Sequence, residues 1–255
     1  MKAIINCFIP FKDKEQVVET VKGLQETGLV NKIYLLSDRH IESVDGCELL
    51  PADSLNGTST MKGIASHSDS EYSLVYTKYT VLQLGEYALE RMLRIAHDTQ
   101  AAMLYADHYQ VVKGNSSICP VIDYQPGSLR DDFDFGSVLL YRADLLRKAV
   151  DEMDKDYRFA GLYDLRLRVS CLGELVHFNE YLYSEVEHDA RKSGEKIFDY
   201  VDPKNRQVQI EMESACTEHL KRIGGYLKPE FKDVVFNKGE FEYEASVIIP
   251  VRNRI

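Results

Sequence analysis

The sequence predicts an α/β fold, a mostly parallel mixed sheet sandwiched between helices, and three features of the chain carry that reading. Apolar runs of strand length, such as Ala3–Ile9, alternate with segments whose apolar residues recur at helical spacing, such as Val17, Val18, Val21 and Leu24. The first strand is an apolar run broken only by Asn6 rather than an alternating one, as expected of a strand covered on both faces. With 255 residues, 44% of them hydrophobic, the chain can bury a substantial core.

Taken in order, Ala3–Ile9 is a strand that ends at Pro10. Asp13 stands three residues before Gln16, a capping-box spacing, and opens a helix that runs to Gly28. Lys32–Ser37 is the second strand, so the chain opens as a strand–helix–strand unit of parallel type. A short strand at Glu48–Leu50, a small helix at Thr60–Ala65 and a strand at Glu71–Tyr79 follow. Glu86–His97 carries Ala88, Leu89, Met92, Leu93 and Ala96 on one helical face. Ala101–Ala106 is a strand that Asp107–Val112 extends, and the tyrosines flanking Asp107-His108 suggest a packed sheet edge. Gly136–Arg142 is a strand, Asp144–Met153 and Gly161–Cys171 are helices, and Leu175–Tyr183 returns to strand. Pro203 then starts a helix with an apolar face of Val208, Met212, Ala215, Cys216, Leu220 and Ile223, ended by Gly224-Gly225.

Composition narrows the function classes. A net charge of −10 is a poor match for a nucleic-acid surface, which needs concentrated Lys and Arg. Five scattered cysteines with no Cys-x-x-Cys pair predict neither a metal cluster nor a disulfide framework, and a cytoplasmic chain with reduced thiols is the expectation. No stretch is long enough to span a bilayer, and Ala3–Ile9 is short for a signal peptide and lacks a cleavage pattern. A peripheral place at the inner face of a membrane stays open.

The last eleven residues repeat the opening. Ser246–Asn253 ("SVIIPVRN") matches Asn6–Asp13 ("NCFIPFKD") in its apolar strand, its proline and the Asn or Asp three residues on. A repeat at that separation predicts a second copy of the whole domain in a longer tandem protein. The expected organisation is a domain at 1–200, a helix at 201–227, a linker at 228–244 and the first strand of the next copy at 245–255.

The string "SVIIPVRNR" resembles the first strand of family 2 glycosyltransferases, and through the repeat residues 3–190 resemble the same family. The order of features agrees: Pro10 after the first strand, Ser37-Asp38 after the second, Glu71–Tyr76, "LERML" (Leu89–Leu93), "AMLYADHY" (Ala102–Tyr109), Gly136–Arg142, "YDLRLR" (Tyr163–Arg168) and "FNEYLY" (Phe178–Tyr183). The resemblance implies a GT-A-like α/β/α sandwich that binds a UDP- or GDP-type nucleotide sugar. It also implies transfer of the sugar to a glycan or lipid acceptor and, commonly, a Mn2+ or Mg2+ ion.

Such a transfer needs a base for the acceptor hydroxyl and neutralisation of the departing diphosphate. The family's Asp-x-Asp would end the strand at Glu71–Tyr79, where this chain has Thr77, Lys78 and Tyr79. Lys78 either takes over the diphosphate charge or is a solvated lysine. The acids that usually open the acceptor-side helix are replaced by Gly161 and Leu162, leaving Asp164 as either the surviving base or a structural acid. Asp38 either meets the nucleoside base or caps a turn, Asp13 either meets the donor or caps its helix, and Phe11 beside Pro10 either stacks on the base or belongs to the core. His188, after Glu187, is a metal ligand in some relatives and otherwise a surface residue. Two functions follow: a transferase with a cation-independent donor site, or a non-catalytic copy that binds ligand or partner while a downstream copy performs transfer. A nucleotidyltransferase would need a glycine-rich loop after the first strand, and Pro10–Glu15 has no glycine.

Overall fold

The computed structural model describes residues 3–187, 206–233, 245, 247 and 248. The elements run β1 (Ile5–Pro10), α1 (Lys14–Glu26), β2 (Val30–Ser37), β3 (Cys47–Pro51), α2 (Thr58–Ser66), β4 (Tyr72–Tyr76), β5 (Val81–Leu84), α3 (Ala88–Thr99), β6 (Met103–Val112), β7 (Asn115–Cys119), β8 (Val138–Arg142), α4 (Ala143–Asp151), α5 (Gly161–Leu172), β9 (Leu175–Glu187) and α6 (Arg206–Arg222). The chain divides into two units, residues 1–225 and residues 226–255.

The described strands form one mixed sheet in the order β3-β2-β1-β4-β8-β6-β9-β5, with β7 paired to β6. One half, β3-β2-β1-β4, is wholly parallel. The other half is mixed: β8 runs antiparallel to β4 and β6, while β9 runs parallel to β6. Side-chain alternation assigns the two faces. Ile5, Cys7 and Ile9 of β1 pack with α1 and α3, whereas Phe8 packs with α2, α4 and α5. The result is the helix–sheet–helix sandwich expected from the sequence.

Several local expectations change. The strand expected over Glu71–Tyr79 stops at Tyr76, and a separate short strand, β5, follows at Val81–Leu84. Asp107 and His108 do not sit at a sheet edge, because β6 pairs there with β9 on one side and, from His108 onward, with β7 on the other, and both side chains are buried. The two do diverge as neighbours on a strand should: Asp107 accepts from His177 at 3.0 Å, and His108 faces Glu185 at 3.4 Å. The strand outside β6 at that point is β7, joined to β6 by a two-residue turn in which Lys113 and Gly114 have φ of 51° and 78°. Such left-handed pairs suit the twist of a hairpin.

The last helix is also rearranged. Of the apolar set read from the sequence, Ala215 is buried with Met212 and Cys216 packed beside it, but the other most buried positions are the polar Glu211 and His219. Glu211 explains the shift: its carboxylate accepts from the backbone N–H of Phe159 at 2.7 Å and of Ala160 at 3.3 Å, so α6 caps the start of α5. Pro203 lies outside the described residues, as does most of the repeat at 246–253. In the second unit, Leu227, Phe231, Val247 and Ile248 are exposed. No helix among the described residues is long and apolar enough to cross a membrane.

Candidate functional site

Strand order locates the site. From β1 the chain crosses through α1 to β2 on one side, and from β3 it returns through α2 to β4 on the other. The direction of winding reverses between β1 and β4, and in open α/β sheets the carboxyl ends at such a reversal form a crevice for ligands. Past those ends lie Phe11, Asp38, Asp53 and the segment Thr77–Tyr79.

Two cavities open there. The first, of about 310 Å³, is lined by Phe11, Lys12, Asp38, Arg39, Asp53 and Tyr79 among others. Backbone bonds fix its walls: Phe11 N donates to Leu36 O at 2.9 Å and Ala52 N to Ser37 O at 2.8 Å. Arg39 donates through Nη2 to Lys12 O at 3.1 Å, tying the ends of β1 and β2 together. Tyr79 is 50% exposed, and partial burial, then the nearby charge of Asp38, raises its hydroxyl pKa. An aromatic face, a carboxylate and a phenol around one opening provide stacking and hydrogen-bonding groups for a planar heterocycle.

The second cavity, of about 280 Å³, lies on the other side of the same segment and is lined by Thr77, Asp131, Asp134, Tyr141, Leu162 and Arg166 among others. Asp131 and Asp134 are exposed on its rim. Asp134 accepts from Gly136 N at 2.8 Å. Arg166 is buried against Tyr163, Phe135 and Tyr124, at 4.8, 5.5 and 5.9 Å from their ring centroids. Thr77 lines the second cavity and Tyr79 the first, and exposed Lys78, which lines neither, lies between those two in sequence.

The residues singled out in the sequence divide accordingly. Phe11 and Asp38 come together in the first cavity, and Pro10 ends β1 beside them. Asp13 lines neither cavity; its side chain accepts from Gln16 N at 2.9 Å and caps α1. Asp164 also lines neither. It is 1% exposed and held by Arg168 Nε at 2.9 Å, with burial raising its carboxyl pKa and Arg168 drawing it back. His188 lies outside the described residues.

Sequence reasoning missed Asp53 and Tyr79 in the first cavity, and Asp131, Asp134, Tyr141 and Arg166 in the second. Asp53 had a usable signal, because it stands two residues past the proline that ends β3. The aspartates near residue 130 had none, since acidic loops are ordinarily solvated.

The cation implied by the resemblance does not fit the residues present. The end of β4 offers Thr77, Lys78 and Tyr79, none of them a carboxylate, and among the described residues no group of three or more His, Cys, Asp or Glu could hold a metal ion.

No family model and no curated protein matches the sequence. Solved structures do. The crystal structure of S. aureus TarS 1-349 matches with a TM-score of 0.53 and 10% identity, over 73% of this chain and 60% of that one. The same fragment in complex with UDP-GlcNAc matches with a TM-score of 0.52 and 12% identity, over 87% of this chain and 72% of that one. Its complex with UDP matches with a TM-score of 0.52 and 11% identity, over 89% and 72%. This chain thus spans 60% to 72% of the length of those fragments. The likeness establishes a shared fold, GT-A-like, as the resemblance implied.

Proposed function

We propose that this chain is a glycosyltransferase-family domain that binds a nucleotide-diphosphate sugar, of UDP or GDP type, without a metal clamp. The nucleoside enters the cavity of Phe11, Asp38, Asp53 and Tyr79. The diphosphate lies against Lys78, and the sugar points into the second cavity.

The observation that carries this reading is the run Thr77, Lys78 and Tyr79, in which one exposed lysine joins a residue that lines one cavity to a residue that lines the other. Two residue steps span at most about 7 Å, a length suited to a diphosphate linking a nucleoside to a sugar. An ammonium there meets the leaving-group charge that a cation otherwise neutralises. A transfer also needs a base at the acceptor hydroxyl, and Asp131 and Asp134 offer carboxylates on the rim of the cavity assigned to the sugar. In this scheme Asp164 holds α5 in place and takes no part in the chemistry. The solved relatives bound to UDP and UDP-GlcNAc add support by analogy of fold.

A second reading is favoured by one contact. A Cβ on Gly161 would stand 2.3 Å from Thr58 N and 2.5 Å from Gly57 C, so an acid cannot stand at the first position of α5 without moving backbone. In that reading the domain binds donor or partner without transfer and serves a second glycosyltransferase domain in the same chain.

Calorimetric titration with UDP, GDP and their sugars, with and without manganese, tests the proposal. Binding should be unchanged by manganese or a chelator and weakened about ten-fold or more by Lys78→Ala, the loss expected for one charge-assisted hydrogen bond. Binding that requires manganese, or that ignores Lys78→Ala, contradicts it. Release of UDP in the presence of acceptor separates the transferring domain from the purely binding one.

A further inference from the structure

We propose that Arg166 makes the second cavity a subsite for an anionic oxygen group, a carboxylate or phosphate ester, carried by the sugar or acceptor that enters it. The proposal rests on the donor-binding reading for what enters the cavity, but not for the anion preference itself.

The starting point is an imbalance within α5. Its two neighbouring arginines are both buried, at 6% exposure for Arg166 and 5% for Arg168. Arg168 is compensated by Asp164 at 2.9 Å and Asp154 at 3.4 Å. Arg166 is not: its Nη2 donates to Arg130 O at 2.9 Å, while Nε and Nη1 have no hydrogen-bond partner. Three aromatic rings surround the guanidinium, and their faces steady its charge without accepting from the N–H groups along its edge.

Buried donors without acceptors are rare, and those on a charged group are the most costly to leave unmatched. A guanidinium fork presents parallel N–H groups, the geometry that a carboxylate or phosphate meets with two oxygens. Arg166 lines the cavity, and so does a second orphaned group, the hydroxyl of fully buried Tyr141. Asp131 and Asp134 share the cavity but stand exposed at its rim, where water and salt screen their charges. The inner wall therefore offers donors and positive charge, and the rim offers acceptors suited to hydroxyls. A ligand with an anionic group next to hydroxyls satisfies both.

The test titrates the full chain with D-glucuronate, glycerol 3-phosphate and neutral D-glucose, for the wild type and Arg166→Gln. At least one anion should bind roughly ten-fold more tightly than glucose, and Arg166→Gln should erase that preference while leaving UDP affinity within about two-fold. Preference for glucuronate identifies a sugar carboxylate; preference for glycerol 3-phosphate identifies a phosphate ester. Equal binding of all three ligands, or a preference that survives Arg166→Gln, overturns the proposal. Should that variant fail to fold, Tyr141→Phe decides: a loss of about five-fold in anion affinity supports the subsite, and no loss overturns it. UDP binding without anion preference defeats this inference alone, and anion preference without UDP binding defeats the donor-site reading alone.

Discussion

Asp13 and Asp38 are both aspartates just past the end of a strand, and backbone geometry gives them different work. Asp13 has extended dihedrals at the N-cap of α1, so its carboxylate turns back onto Gln16 N. Asp38 follows β2 without a helix to cap, and its side chain remains on the wall of the first cavity beside Phe11. Asp13→Ala should therefore lower stability by about 1 kcal/mol, the ordinary worth of an N-cap, and leave UDP affinity unchanged. Denaturant titration alongside calorimetry checks both parts; a loss of UDP affinity with stability intact would move Asp13 back into the donor site. Asp164 illustrates the same principle at greater depth, because burial beside Arg168 makes it part of α5's internal pairing.

At the scale of elements, the start of α5 decides how the site is built. Gly161 meets the backbone of residues 56–58 at the N-terminus of α2, and the acidic group facing the α5 N-terminus is Glu211 of α6. Helix propensity alone would favour Gly161→Ala by up to about 1 kcal/mol. Packing reverses that sign, since the atoms a Cβ there would meet at 2.3, 2.5 and 2.8 Å all belong to backbone. The substitution should destabilise the protein by about 2–3 kcal/mol or more, measured by chemical denaturation; a neutral or stabilised variant would show that α2 and α5 are not so tightly apposed. This junction was illegible in the sequence, because a glycine opening a helix carries no record of which backbone it touches. The hairpin at Lys113-Gly114 escaped for a related reason: its turn lacks the Asn-Gly or Asp-Gly signature, and β7 is too polar to announce a strand. By contrast β1, α1 and α3 were plain, since burial on both faces or on one stripe writes itself directly into residue spacing.

Across the whole molecule, the order of strands does more than any motif to define function. It sets the reversal between β1 and β4, gathers Phe11, Asp38, Asp53 and Tyr79 from separate stretches of chain, and puts the cavity-lining Thr77 and Tyr79 on either side of Lys78 in the chain. The sequence disclosed the strand ends, and hence Phe11, Asp38 and Lys78, but not Asp131, Tyr141 or Arg166, which meet only once β6, β8 and α5 are folded together. The expected second domain begins in residues mostly outside those described. The central claim is that a nucleotide diphosphate is held here by protein groups without a bridging cation. A crystal structure of the chain grown with UDP and excess manganese tests it most directly. The account predicts the uracil among Phe11, Asp38 and Tyr79 and the diphosphate at Lys78, with no manganese density between protein and phosphate; a manganese ion gripped by aspartates beside the diphosphate would contradict it.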